Sequence, residues 1–120
     1  MNIEDIRTYA LAKAGVTEGF PFGDDILVFK VQGKVFLLAF LSTYPLKINL
    51  KTNPEWSEEL RAEYSAIYPA YHMNKKHWNT VEAEDLPNAL VRELIDHSYQ
   101  EVVKKLTKKQ QQHLHSQNGE

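Results

Sequence analysis

Residues 68–81 read YPAYHMNKKHWNTV, a stretch with two histidines, two lysines, two asparagines, three aromatics and no acid. Such a set suits three chemistries. His72 and His77 could hold a metal. Lys75 and Lys76 beside an aromatic such as Trp78 could meet nucleic acid. The polar groups could also simply hold one another in a turn. His72 and His77 lie five positions apart, which is neither a helical i, i+4 pair nor the even spacing of one strand face, so the spacing argues against a metal. Asn74 and Asn79 are expected to bond backbone within turns. Trp78, flanked by strand formers, is expected in the core, with base stacking as the alternative. Lys75 and Lys76 are the strongest contact candidates, because adjacent side chains diverge and at least one must reach solvent.

The charge pattern extends this candidate surface. The net charge is -2, yet no acid lies between Asp25 and Glu55, where Lys30, Lys34, Lys47 and Lys51 all fall. None lies between Glu63 and Glu82 either, where Lys75 and Lys76 accompany His72 and His77. Carboxylates are therefore expected on helices, their flanking loops and the tail, leaving the strands and residues 68–81 purely basic. If those adjoin, the molecule has a cationic side and an acidic side. The competing explanation is that strand lysines deter edge-to-edge pairing.

Other chemistries lack their residues. There are no cysteines, which removes disulfides, zinc ribbons and thiol catalysis. The chain has no Gly-x-Ser-x-Gly elbow, phosphate-binding glycine loop, dinucleotide fingerprint or His-Glu-x-x-His helix. Asp24 and Asp25 near Glu18 are read as solvated loop acids, since nothing pushes their pKa values apart. No enzyme, cofactor or metal is expected. The start, MNIEDI, is acidic where a secretory signal is basic. The longest apolar run, Val35–Leu41, suits a buried strand and is too short for a membrane span. A soluble, cytoplasmic protein is expected.

The elements that must position these residues follow from periodicity. Asn2 caps a first helix whose stripe is Ile3, Ile6, Ala10 and Ala14, stopped by Gly15. Residues 16–25 are expected to be loop. The runs ILVFKV and KVFLLAFL flank Gln32-Gly33, a two-residue hairpin signal that sets Val31 opposite Lys34 and Phe29 opposite Phe36. Leu46–Lys51 alternates strictly, with Leu46, Ile48 and Leu50 on one side and Lys47, Asn49 and Lys51 on the other. Asn53-Pro54-Glu55 starts a second helix, with Trp56, Leu60 and Tyr64 on one face. A further strand over His77–Val81 precedes a last helix over 86–106, whose stripe is Val91, Leu94, Ile95, Ser98, Val102 and Leu106. The order α-βββ-α-β-α predicts an α+β fold with helices packed on an antiparallel sheet. One domain covers 1–106, and 107–120 is expected to be a polar, mobile tail.

The runs FPFGDDILVFKVQGKVF, INLKTNPE, YPAYHMNKKHWNTV and ELIDHSYQEVVKKL together resemble the YjbR-like (MmcQ-like) family of small bacterial proteins, over about residues 1 to 106. The resemblance implies a frataxin-like (CyaY-like) sandwich and DNA binding through a paired-wing arrangement, and it carries over no catalytic residues. Frataxin-type iron binding is not expected, because the first helix carries only Glu4 and Asp5 as acids, offset by Arg7 and Lys13. The expected function is non-enzymatic DNA binding of low sequence specificity. Its candidate contacts are Lys30, Lys34, Lys47, Lys51, His72, Asn74, Lys75, Lys76, His77 and Trp78. The alternative is a binding protein for an anionic small molecule or a protein partner. Shape discriminates between them: a broad convex basic face suits nucleic acid, a concave site with converging polar groups suits a ligand.

Overall fold

Gln32 and Gly33 turn the chain as their types require, with φ of 49° and 77°, the paired positive values of a tight hairpin turn. In the computed structural model, which describes residues 1–117, this turn joins β2 (Ile26–Val31) to β3 (Lys34–Phe40). Val31 pairs with Lys34, but the aromatic pair expected next does not form. Phe29 faces Leu37 and Lys30 faces Val35, which leaves Phe36 as the extra residue of a bulge. Phe36 and Leu37 are consequently both fully buried. The Phe36 ring meets Tyr99 edge-on, centroids 5.5 Å apart, and its carbonyl is taken up by the hydroxyl of Ser98 at 2.5 Å.

Four further strands complete one antiparallel sheet of order β1-β2-β3-β4-β6-β5. They are β1 (Val16–Gly19), β4 (Lys47–Lys51), β5 (Ile67–Pro69) and β6 (Trp78–Glu82). The edge strand β1 corrects the expectation of loop at 16–25, and β5 adds a strand to the expected order. Both are short and carry glycine or proline, so their own sequences hold little strand signal; pairing to β2 and β6 makes them strands. They also place Glu18 on β1, and Glu82 lies on β6 opposite Lys47. The strands are therefore not purely basic, contrary to the charge reading.

Register divides the sheet into two faces. One presents Leu27, Phe29, Leu37, Ala39, Ile48, Leu50 and Val81 to the core. Onto it pack α1 (Ile3–Leu11) through Ile6 and Ala10, and α3 (Asn88–Val103) through the expected stripe, now including buried Tyr99. Tyr9 and Lys13 both reach Asp96, and Tyr99 donates to the Ala14 carbonyl at 2.7 Å, so the first and last parts of the chain are tied together. Ser98 sits within the apolar stripe because its hydroxyl bridges strands: it accepts the Lys51 N–H at 2.9 Å and donates to Phe36. Helix α2 (Pro54–Glu63) starts at an Asn53 cap, whose side chain accepts the Trp56 N–H at 2.8 Å, and buries Leu60.

The polar segment after Leu106 is a correction. Residues Lys108–Gln117 form α4, and Leu114 packs into the core at 5% exposure. Thr107 caps it by accepting the Gln110 N–H at 3.1 Å. A single apolar contact carries no period, so the sequence around Leu114 reads as unstructured until a surface exists for it to cover. The rest of the expected tail, residues 118–120, lies outside the described residues.

A pH response follows from the α2–α3 junction. His97 Nε2 accepts the Asn53 backbone N–H at 3.1 Å, and its ring packs edge-on to Trp56. Burial lowers the His97 pKa, with Lys104 acting the same way and Glu101 and Glu93 opposing. The fold thus prefers neutral His97. Its contribution is fully present above the unfolded histidine pKa of about 6.5 and is lost as pH falls through the lower folded value. Urea midpoints measured across this range should fall with acidification, and His97→Gln should flatten that dependence.

Candidate functional site

The 68–81 stretch divides into two halves with different duties. Its second half is locked onto α2. The Asn74 carbonyl accepts the His77 and Trp78 N–H groups, and its side chain accepts that of Lys76 at 3.1 Å, the turn role expected of it. Asn79 instead is buried at 1% exposure. Its amide donates to the Thr52 and Ser57 hydroxyls at 2.8 and 3.0 Å, and its carbonyl oxygen accepts Arg61 Nε at 2.6 Å. The Arg61 fork also reaches the Lys75 and Trp78 carbonyls. Strand parity explains the correction. Asn79 and Val81 share the inward side, which leaves Trp78 partly buried and outside the main core.

The first half walls a hollow on the opposite sheet face. Leu38 and Phe40 of β3, Lys47 and Asn49 of β4 and Thr80 of β6 form its floor, with Tyr68 of β5 at one side. Phe22, from the β1–β2 loop, and Tyr71, His72 and Met73 enclose it. The hollow measures about 550 Å³, and among the described residues no helical side chain lines it. Asn49 is 94% covered at its floor: its oxygen accepts from Thr80 at 2.8 Å and its amide donates to the Met73 sulfur at 3.4 Å. Tyr68 donates to Glu82 at 2.8 Å. Burial, then that bond, pushes the phenol up to about 12, so it stays a neutral donor. Phe22 and Tyr71 remain more than 60% exposed at the rim, where large apolar side chains are costly unless something covers them.

The ten candidate contacts do not share one surface. Lys47 and His72 line the hollow just described. Lys30 lies in a second depression with Thr17–Pro21, and Lys34 and Lys51 meet Lys105 in a third. Lys75 and Lys76 border a fourth, against Pro54, Glu58 and Arg61. Asn74 is part of the turn, His77 has a buried Nδ1 without a partner among the described residues, and Trp78 lies beside Lys51 in the register. Sequence reasoning did not single out Phe22, Phe40, Tyr68, Tyr71, Asn49 or Thr80. The one available signal was Asn49, an uncharged polar residue between two outward lysines on an alternating strand.

The YjbR family pattern matches residues 11–101. The chain belongs to the YjbR family. YjbR relatives include the uncharacterized protein YbdF of Escherichia coli O157:H7, 41% identical over 92% of each chain. The uncharacterized protein YjbR of Escherichia coli K12 is 33% identical, covering 86% of this chain and 88% of its own. The crystal structure of Deinococcus radiodurans protein DR2400, a DUF419 domain, matches 94% of this chain and 87% of its own at 39% identity, with a TM-score of 0.87. The YjbR match covers every residue lining the hollow, 22–80, whereas Lys105 and α4 lie beyond it.

Proposed function

We propose that this YjbR-family protein is a non-enzymatic binding module whose ligand sits in the hollow on the sheet face opposite the core. The observation that carries this reading is concavity: two loops enclose a floor of apolar and polar side chains, with a volume of about 550 Å³, well within the range of small-molecule sites. The ligand has a flat apolar body, which Phe22, Phe40 and Tyr71 cover, and an anionic group, which Lys47 meets. Asn49, Thr80 and His72 supply directional bonds. The fold is CyaY-like and the location cytoplasmic in this reading.

The test is chemical-shift mapping with aryl carboxylates, matched aryl alcohols as controls. Carboxylates should move the Asn49, Met73 and Thr80 amides and the alcohols much less. Lys47→Met should weaken binding about tenfold, the value of a charge-assisted hydrogen bond. Tyr71→Ala should weaken it with the fold intact.

A second reading, binding to the DNA backbone, draws on the exposed Lys75 and Lys76 and on the Lys75 ammonium, 5.2 Å above the Tyr71 ring. With two phosphates engaged, by Lys75 and Lys76, the log–log salt slope is roughly −2. Anisotropy with a labelled duplex would favour it if binding is that salt-dependent and is lost on joint Lys75→Glu and Lys76→Glu reversal. Shifts confined to Lys75 and Lys76, with none at Asn49 or Thr80 for any carboxylate, would replace the ligand reading by this one.

A further inference from the structure

At the far end of α3 the molecule gathers more positive charge than the nearby Glu101 carboxylate can match. Lys34 opens β3, Lys51 closes β4 and Lys105 follows α3; the three line one hollow of about 330 Å³ with Val35, Val102 and Leu106. Lys104 stands nearby, but its charge is engaged by Glu101 at 2.6 Å. Lys34, Lys51 and Lys105 make no ion pair within 4 Å among the described residues. Cations near a helix C-terminus are ordinarily drawn there by the macrodipole. That attraction explains Lys105. It does not explain two strand residues converging on the same place, nor does a dipole worth about half a charge balance three ammonium groups.

We propose that this hollow is an anion site for a phosphomonoester, its dianionic head held among Lys34, Lys51 and Lys105 and its apolar part lying on Val35, Val102 and Leu106. The site is separate from the hollow lined by Lys47 and does not depend on that reading. A doubly charged head answers three clustered cations better than a carboxylate does, and its oxygens accept from several ammonium donors at once. The hollow has room beyond the head, and the surplus is walled by aliphatic side chains, which selects a carbon-bearing ester over bare phosphate. The free protein bears a cost for keeping this site ready. Burial lowers the Lys51 pKa, and Lys105 and Lys104 act in the same direction, with Glu101 opposing. A bound dianion removes that repulsion.

Phenyl phosphate, inorganic phosphate and a short DNA duplex are the probes, each titrated calorimetrically into the full chain. Phenyl phosphate should bind more tightly than inorganic phosphate. Lys51→Met and Lys105→Met should each weaken it about tenfold, while Lys30→Met, in a separate depression, leaves it unchanged. As pH rises toward the ordinary lysine pKa of about 10.4, binding should take up protons, because a bound dianion opposes the lowering of the Lys51 pKa. Thermal melts check the fold, and without ligand Lys51→Met should melt no lower than the parent, since it removes a repelled charge while keeping the stem. Absence of phenyl phosphate binding, indifference to Lys51→Met and Lys105→Met, or an equal loss with Lys30→Met would each overturn the proposal. A duplex that displaces phenyl phosphate, and itself depends on Lys51 and Lys105, would retain the phosphate chemistry but overturn the monoester as its source.

Discussion

Phe36→Ala should destabilise the protein by about 4 kcal/mol, within the usual range for deleting a core aromatic. The side chain is fully buried, and the bulge that turns it inward also aims it at Tyr99. Neighbouring Leu37 is buried on the same side, so collapse into the void requires moving two paired strands and α3 together, and the cavity stays largely open. Urea denaturation reads the loss as a lower midpoint at unchanged slope. A double-mutant cycle with Tyr99→Leu should return a coupling of about 1 kcal/mol, as edge-on aromatic pairs do. A Phe36 variant as stable as the parent would mean that the hairpin pairs without its bulge.

Asn79→Ala should cost about 3 kcal/mol, a large effect for a residue whose sequence context reads as a turn. Three hydrogen bonds disappear, to Thr52, Ser57 and Arg61. The hydroxyls of Thr52 and Ser57 can still bond each other, but Arg61 Nε loses its acceptor. Each lost bond is worth about 1 kcal/mol net, and a buried group left unpaired costs more. Ser57→Ala, which leaves Asn79 bonded to Thr52 and Arg61, should cost only about 1 kcal/mol. Equal losses for the two variants would show that the network does not centre on Asn79. Because Arg61 also holds the Lys75 and Trp78 carbonyls, Asn79→Ala should additionally raise amide exchange across residues 74–78.

Several elements were legible before any contact was known, and each rests on local physics. The Asn2 and Asn53 caps, the Gln32-Gly33 turn and the Leu46–Leu50 alternation depend on residues within a few positions of one another. So does the α3 stripe, whose period survives without knowledge of what it covers. The family, too, was readable, because its motifs are contiguous runs.

Tertiary structure alone decided the rest. The bulge at Phe36 follows from the inward packing of Tyr99 and the bridging hydroxyl of Ser98, neither of which is near it in the chain. Strands β1 and β5 exist because β2 and β6 offer them partners. Leu114 alone cannot announce α4, because one apolar residue has no period. The lysines illustrate the same limit. Sequence showed that they lie apart from the acids, but charge acts through space, and only strand order and loop path put them into separate hollows. Asn79 marks the boundary most plainly. Whether an asparagine bonds a turn or anchors a buried network depends on which side of its strand faces the core, and one position of register decides that.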